Sequence, residues 1–252
     1  MKKLVLLHGW GVNSLIWQPI LPELEKDFEV HTISLPGYGS QQQNEHATLD
    51  VCTADVLYRC PEQAIWVGWS LGGTIALSAA LKEPNRIEQL ILVSSTPKFL
   101  VDESAGWTHG AQLEPFEALA DQFEQNYAKA LKKFLLLQSN TNDKSRLKEV
   151  RNAVRELAER LLTQDEPSTD TLRSGLEILA ATDLRDQLSN IEIETKVIAS
   201  QHDNVVPIAA SQFLAENIPN ASFNSFDSGH LPFLDQPAQF LRQLRSLAGV
   251  GS

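Results

Sequence analysis

A nine-residue stretch, I-W-V-G-W-S-L-G-G over residues 65–73, constrains the fold more than any other part of this sequence. It places G-x-S-x-G at Gly68, Ser70 and Gly72, directly after an apolar strand-like run and directly before an Ala- and Leu-rich helix-like run. A sharp strand-to-helix turn strains its central residue, and side chains at the flanking positions would clash, which explains the glycines. The turn also puts the N–H of Leu71 at a helix N-terminus, where a developing negative charge is stabilised. The stretch therefore predicts a nucleophilic serine.

Short apolar runs alternate with helical patterns along most of the chain. Helical patterns cover residues 71–82 and 208–217, each directly after a strand or its connecting loop. Strands that alternate with helices indicate βαβ units, whose crossovers cover both faces of a parallel sheet. We therefore expect an α/β protein with a mostly parallel central sheet flanked by helices. The predicted strands are residues 4–7, 28–35, 64–67, 90–93, 195–200 and 222–226.

One long segment breaks this alternation. Residues 98–186 contain helical patterns and no convincing strand. Within them one apolar stripe recurs at helical spacing, which is typical of a helix with one buried face. We expect an all-helical lid at 98–186, inserted between two parts of one core at 1–97 and 187–252. The stripe consists of Leu147, Val150, Val154, Leu157 and Leu161.

The composition excludes several classes of function. The 252 residues include 21 Lys and Arg against 32 Asp and Glu, a net charge of −11. An acidic surface of this kind is repelled by nucleic acid and by anionic membranes. No apolar run approaches the roughly 18 residues that span a bilayer. Cys52 and Cys60 lack further ligands at metal-binding spacing, so we expect reduced structural thiols in a soluble, cytoplasmic protein.

A serine nucleophile requires a base, and the base requires an acid that orients it. His230 stands out among the six histidines because it lies in the Gly-containing turn D-S-G-H-L-P-F that follows a late predicted strand. Asp203 follows another strand at its carboxyl end, whereas the rival Asp227 is so close to His230 that it more plausibly shapes the turn. Ser70, Asp203 and His230 occur in the chain order of the α/β-hydrolase triad.

The loop after the first strand predicts the second half of an oxyanion hole. Residues 8–11 read H-G-W-G, so the backbone N–H of Trp10 is the expected second donor beside that of Leu71. The side chains of Trp10 and Trp69 either line the pocket or are ordinary core residues. The remaining histidines are interpreted as structural or surface residues: His8, His31, His46, His109 and His202.

Charge is distributed unevenly between the predicted lid and the rest of the chain. Residues 127–162 contain nine basic and four acidic residues, a local charge of +5, which leaves −16 elsewhere. A charge run is usually a solvated face, but a basic patch on an acidic protein also fits docking of an acidic carrier or substrate. The patterned cations are Lys129, Lys132 and Lys133 on one predicted helix and Lys144, Lys148, Arg151 and Arg155 on the next.

Several motifs together resemble the pimeloyl-[acyl-carrier protein] methyl ester esterases of biotin synthesis, an α/β-hydrolase family. They are L-L-H-G-W-G, P-G-Y-G-S, I-W-V-G-W-S-L-G-G, F-L-L-L-Q, G-L-E-I-L, D-L-R and G-H-L-P-F. The hydrolase motifs alone are generic, whereas their combination with F-L-L-L-Q and G-L-E-I-L is much more specific. The resemblance covers nearly the whole chain, including the lid.

This resemblance implies hydrolysis of a methyl ester on a pimeloyl chain that is tethered to acyl carrier protein, with release of methanol. It places the triad on Ser70, Asp203 and His230 and the oxyanion donors on Trp10 and Leu71. The acyl-contacting stretch of the lid matches Phe134, Leu135, Leu136, Leu137 and Gln138, although part of this stretch must be lid core. The carrier-docking cations match Lys129, Lys133 and Arg146, with Val150 at a fourth position and Lys148 or Arg151 nearby.

The expected enzyme is a monomeric serine carboxylesterase that needs no metal or organic cofactor. Two alternatives remain at this point. One is a general carboxylesterase, thioesterase or C–C bond hydrolase of the same superfamily, and the other is a binding module that has kept the fold without catalysis. Function follows the site and not the fold, so the ester specificity rests on the resemblance alone.

Overall fold

The computed structural model describes residues 1–41, 47–139 and 146–249. Six strands form one sheet in the order β2-β1-β3-β4-β5-β6, and every neighbouring pair is parallel. This arrangement confirms the predicted α/β class. The strands are β1 (Lys2–Leu7), β2 (Phe28–Ile33), β3 (Ala64–Trp69), β4 (Ile87–Val93), β5 (Thr195–Ser200) and β6 (Ala221–Phe226).

In the part of the chain that the structure describes, ten α-helices surround the sheet or form the segment between β4 and β5. Helix α3, which follows β3, is buried along nearly its whole length because it packs across the middle of the sheet. The helices are α1 (Leu21–Leu24), α2 (Leu49–Arg59), α3 (Leu71–Lys82), α4 (Glu114–Gln125), α5 (Tyr127–Gln138), α6 (Leu147–Leu161), α7 (Thr169–Ala181), α8 (Ile208–Asn217), α9 (Pro232–Asp235) and α10 (Pro237–Leu247). Among the residues that the structure describes, no helix is long and apolar enough to cross a membrane.

All six predicted strands are confirmed, with differences only at their ends. Strand β2 ends at Ile33, two residues before the predicted end, and β4 begins at Ile87, three residues before the predicted start. Pairing with a neighbouring strand, and not hydrophobicity, decides where a strand ends; Ile87, for example, pairs with Ala64. The central β3 is buried at every position, as expected for a parallel strand covered on both faces.

The strand order creates a switch point at β1, which lies between β2 and β3. From β1 the chain passes to β2, which pairs with one edge of β1, and then to β3, which pairs with its other edge. Loops at the carboxyl ends of such neighbouring strands diverge and leave a crevice in which ligands bind. Leu7 at the end of β1 is in register with Gly68 of β3, so the H-G-W-G loop and the G-x-S-x-G turn meet at this crevice.

Helices α4 to α7 lie between β4 and β5, and we call them the lid. The predicted stripe faces inward on α6: Val150, Val154 and Leu157 are at most 5% exposed, while Leu147 at the first turn is 36% exposed. The two ends of the connecting segment are joined by a bridge between Lys98 and Asp183, whose side chains also form an ion pair of 3.0 Å. The boundaries 98–186 stay a prediction, as does the frayed C-terminal tail from Gly249, most of which lies outside the described residues.

The two cysteines are free and buried, in agreement with the prediction of structural thiols. Burial raises the pKa of Cys52 to about 11 and that of Cys60 to about 12, because a thiolate is poorly solvated there. Both thiols are therefore protonated and unreactive at neutral pH.

Candidate active site

Ser70 occupies the strained turn that the sequence predicts. Its φ of 55° and ψ of −121° are unfavourable for a residue with a side chain. A Cβ added at Gly68 would lie 2.6 Å from the carbonyl oxygen of Gly72, and one at Gly72 would lie 2.5 Å from that of Leu7. The glycines are therefore required by close backbone approach, and the turn joins β3 to α3 as the motif demands.

Hydrogen bonds from the end of β4 hold the turn in place. The backbone N–H of Ser70 donates to the carbonyl of Val93 at 3.0 Å, and the Ser95 hydroxyl donates to the carbonyl of Ser70 at 3.0 Å. Ser95 was not predicted as a site residue, because a serine after a strand has no distinguishing pattern in the sequence. It acts here as a support for the backbone of Ser70.

His230 and Asp203 form a buried pair. The Nδ1 atom of His230 is 2.7 Å from Oδ2 of Asp203, and each side chain is 1% exposed. The other carboxylate oxygen of Asp203 accepts the backbone N–H groups of Val205 and Val206 at 2.8 and 2.9 Å. In this arrangement Asp203 accepts a hydrogen bond from the N–H at Nδ1 of His230, so that Nε2 is the nitrogen left to take a proton.

The backbone of His230 is held at both of its polar groups. Its carbonyl accepts the indole N–H of Trp69 at 2.8 Å, and its N–H donates to the carbonyl of Gln138 at 2.8 Å. The rings of Trp69 and His230 are 5.3 Å apart. Because Trp69 directly precedes Ser70, these contacts place the imidazole next to the turn that carries the hydroxyl.

The H-G-W-G loop lies directly against the turn. A Cβ at Gly9 would be 3.1 Å from Cβ of Ser70 and 2.8 Å from the ring of Trp69. Only glycine fits this approach, which brings the N–H of Trp10 close to Ser70. The N–H of Leu71 begins α3, where the first-turn N–H groups have no partners within the helix. Both predicted oxyanion donors therefore border the serine.

His8 is buried and acts as a structural hydrogen-bonding residue. Its Nδ1 is 2.8 Å from the Gly9 carbonyl, and its Nε2 accepts the N–H of Leu35 at 2.9 Å. Burial lowers the pKa of His8 to about 4, so the ring is neutral at pH 7. Neutral imidazole with a proton on Nδ1 matches both bonds and braces the H-G-W-G loop.

The sequence left open whether Trp10 and Trp69 line the pocket or are ordinary core residues, and the structure gives the contacts of each. Trp69 is fully buried and belongs to the core, while it also contacts His230. Trp10 lies between core and lid: its indole N–H donates to the carbonyl of Leu172 at 2.7 Å. The ring of Trp10 packs edge-on against Phe123 and Phe134, each at 5.5 Å. Trp10 thus joins the H-G-W-G loop to the lid.

The rival acids and bases have other partners. Asp227 lies 2.6 Å from Nε2 of His202, and both side chains are at the surface of the molecule or partly exposed. The ring of His109 packs on Trp107, and His31 contacts Glu29 at 3.0 Å. His46 lies outside the described residues.

The F-L-L-L-Q stretch divides between two environments. Phe134, Leu135 and Gln138 are buried, whereas Leu136 is 47% and Leu137 is 56% exposed. Five consecutive helical residues turn through more than a full circle, so they cannot all face one channel. The acyl contacts expected for this stretch stay a prediction, and Leu136 and Leu137 lie on a different side of α5 from the buried residues. Gln138 is 2% exposed, and its Oε1 has no hydrogen-bond partner within residues 1–41, 47–139 and 146–249.

The predicted docking cations differ in their surroundings. Lys129 and Lys133 line a cleft between α4 and α5, where Lys133 donates to Oε1 of Gln122 at 2.9 Å. Arg151 lines a separate groove between α5 and α6, and Lys148 is exposed on α6. Arg146 instead donates to the backbone carbonyl of Asp235. Lys144 lies outside the described residues.

Asp235 is a second residue that sequence reasoning missed. It is fully buried, and its Oδ2 accepts the N–H of Gly229 at 2.9 Å. An aspartate among the apolar residues of H-L-P-F-L-D is a signal that could have drawn attention, because a buried carboxylate needs hydrogen-bond donors.

Comparison with known proteins agrees with this geometry. A family model of the alpha/beta hydrolase fold matches residues 2–237. The chain is 35% identical over 247 residues to the pimeloyl-[acyl-carrier protein] methyl ester esterase of Vibrio vulnificus, covering 98% of this chain and 94% of that protein. The chain belongs to the α/β-hydrolase family, in the branch of these esterases. The resemblance found in the sequence is confirmed.

Further relatives extend this result. The esterase of the same name from Aliivibrio salmonicida is 35% identical over 244 residues, covering 96% of this chain and 90% of that protein. Among solved structures of α/β-hydrolases, an esterase from Exiguobacterium antarcticum superposes with a TM-score of 0.84 at 24% identity, covering 99% and 92% of the two chains. An enol-lactonase from Burkholderia xenovorans has a TM-score of 0.81 at 20% identity, covering 98% and 91%. These two structures show the same fold.

Proposed function

We propose that this α/β-hydrolase is a serine carboxylesterase with Ser70 as nucleophile, His230 as general base and Asp203 as the acid that orients the histidine. One observation carries the proposal: the His230–Asp203 pair at 2.7 Å is anchored through Trp69 beside the strained serine. The three residues come from the carboxyl ends of β3, β5 and β6. Ser70 is 9% exposed against 1% for His230, as expected for a nucleophile that must meet substrate.

The reaction follows in two steps. His230 takes the proton of the Ser70 hydroxyl as its oxygen attacks the ester carbonyl, and the N–H groups of Trp10 and Leu71 stabilise the oxyanion. The tetrahedral intermediate collapses as His230 protonates the departing methanol. A water molecule, deprotonated by His230, then attacks the acyl-enzyme, and Ser70 recovers its proton as the acid is released.

The proposed substrate is the methyl ester of pimeloyl-[acyl-carrier protein], hydrolysed to pimeloyl-[acyl-carrier protein] and methanol in biotin synthesis. The names of the relatives support this choice. The apolar residues above the turn also support it, since methylene groups are best accommodated by apolar side chains. Trp10, Phe134 and Leu135 are buried where core and lid meet, with Gln138 as a polar residue beside them.

The proposed partner is acyl carrier protein, attracted by the basic lid. Lys129, Lys133, Lys148 and Arg151 are exposed, on a chain whose net charge is −11. Local positive charge steers an acidic carrier toward the lid while the acidic remainder repels it. That the protein is a cytoplasmic monomer and binds neither nucleic acid nor a membrane stays a prediction.

The serine assignment is tested with p-nitrophenyl acetate, which needs no carrier. We expect Ser70→Ala to lower kcat at least about 10⁴-fold, because the residual rate comes from binding and the oxyanion hole alone. Ser246→Ala, at an exposed position of α10, is the control for loss of a serine hydroxyl away from the site, and it should retain most of the activity. Equal rates for Ser70→Ala and the native protein would refute the mechanism.

The carrier assignment is tested with the double reversal Lys129→Glu and Lys133→Glu. We expect kcat/KM for the carrier-bound methyl ester to fall by about tenfold or more, with unchanged hydrolysis of p-nitrophenyl acetate, because only the encounter with the carrier is affected. The reversal Arg242→Glu on α10 is the matched control. If carrier-bound and free methyl esters respond alike, the protein is a general carboxylesterase and not a carrier-dependent one.

A further inference from the structure

The lid contacts the loop of the proposed base at two points. We call residues 229–235 the histidine loop, since they begin just before His230 and end at Asp235. At the end of α5, the carbonyl of Gln138 accepts the backbone N–H of His230 at 2.8 Å. At the start of α6, the Arg146 guanidinium donates to the backbone carbonyl of Asp235. The ends of two lid helices therefore hold the two ends of one loop.

Asp235 connects the second contact to His230. Its backbone N–H donates to the carbonyl of Leu231 at 2.9 Å, which closes the short helix α9. Its carboxylate accepts the N–H of Gly229 at 2.9 Å, directly before His230. A displacement of Asp235 is therefore transmitted to both sides of the imidazole-bearing residue.

Arg146 differs from the other cations of the lid in its surroundings. Its side chain is 29% exposed and lies beside the core residues Phe233 and Leu234, whereas Lys129 and Arg151 are exposed on the outer surface. Its Nε also lies 3.9 Å from Oε2 of Glu149 in the first turn of α6. The guanidinium is thus directed at the histidine loop, in a position that suits a structural contact better than an encounter with a carrier.

We propose that Arg146 is a positioning residue for His230, which holds the lid against the histidine loop and thereby sets the orientation of the imidazole. The proposal rests on the serine–histidine mechanism above and on no property of the carrier. A general base must lie within hydrogen-bond reach of the proton that it abstracts. Small misplacements of such a group lower the rate of the chemical step without weakening substrate binding, so the effect belongs in kcat.

The test compares Arg146→Ala, Arg146→Lys and the matched control Arg160→Ala, a cation exposed in the last turn of the same helix. Steady-state kinetics are measured on p-nitrophenyl acetate, so that docking of a carrier plays no part. We expect Arg146→Ala to lower kcat by about tenfold with KM within about twofold, because the base is misplaced while the pocket is kept. Arg146→Lys, which retains a donor for the Asp235 carbonyl, should recover kcat to within about threefold, and Arg160→Ala should stay within about twofold of the native protein.

Two results overturn the proposal. One is a native kcat for Arg146→Ala on p-nitrophenyl acetate, even if turnover of the carrier-bound ester falls, since Arg146 would then serve docking alone. The other is a loss in kcat and KM together that lysine does not restore, which indicates general damage to the fold. If Arg146→Ala gives no cooperative thermal transition, Arg146→Gln is measured against Arg146→Lys by the same criteria. Activity of Ser70→Ala tests the mechanism separately, so failure of the proposed function is distinguished from failure of this inference.

Discussion

The hydrolase core and the lid hold the proposed catalytic groups in different ways. Ser70 and Asp203 are fixed by hydrogen bonds within the core, from the backbone of Val93 and of Val205 and Val206. His230 is fixed by both regions, through Trp69 of the core and Gln138 of the lid. Two members of the proposed triad are therefore held by the core alone, whereas the position of the third also depends on how the lid packs.

The largest expected effect tests the core side of this comparison. Asp203→Asn should lower kcat on p-nitrophenyl acetate by about 10⁴-fold, because an amide no longer fixes the tautomer of His230 or stabilises its imidazolium form. The matched control is Asp227→Asn, which removes the carboxylate that contacts His202 instead. Comparable losses in the two variants would show that the wrong acid has been assigned.

Replacing glycine by alanine compares how tightly the backbone is packed in the core and in the segment between β4 and β5. Gly72→Ala should lower the free energy of unfolding by at least about 3 kcal/mol, because its Cβ would meet the Leu7 carbonyl oxygen at 2.5 Å and backbone cannot move aside. Gly106→Ala, in the segment between β4 and β5, has no atom within 4 Å of its Cβ. Only its φ of 67° opposes the change, which costs about 1 kcal/mol. Urea denaturation measures both, and equal losses would contradict the contrast.

Lowering the pH should reduce the free energy of unfolding through protonation of His8. Its pKa is lowered from 6.5 to about 4 in the folded protein, so the unfolded chain binds a proton that the folded chain excludes between these two pH values. The stabilisation is fully present above pH 6.5 and is lost as the pH falls toward 4, a change of about 3 kcal/mol from this one group. His8→Gln should flatten the dependence measured by urea denaturation at pH 7 and pH 4.5. A pH dependence that His8→Gln leaves as steep as in the native protein would contradict this role of His8.

The smallest expected effect concerns neighbouring leucines of the lid. Leu137→Ser should change the free energy of unfolding by no more than about 0.5 kcal/mol, since the side chain is 56% exposed. Leu135→Ala, at a fully buried position, should cost about 2–5 kcal/mol. Thermal or urea denaturation of the two variants checks this difference. A large loss in Leu137→Ser would place that residue in a contact other than the one that the structure shows.

Local patterns in the sequence predicted much of this fold. Strands β1, β3 and β4 were found as short apolar runs, β2 from a weak alternation that stops at turn residues, and α6 from a stripe at helical spacing. These features are local, so a window of about ten residues contains the information. The F-L-L-L-Q stretch shows what local patterns cannot predict. Leucine occurs on both the buried and the exposed side of α5, and only packing distinguishes Leu135 from Leu137.

The sequence by itself determined the order of the elements, the strained turn at Ser70, the proposed triad and the basic character of the lid. Only the tertiary structure decided which groups hold the triad in place. The contact from Trp69 to His230 joins positions 161 residues apart, and the contact from Arg146 to Asp235 joins positions 89 residues apart. Both use a backbone carbonyl as acceptor, and because every residue carries such a group, no pattern of side chains announces which one is used.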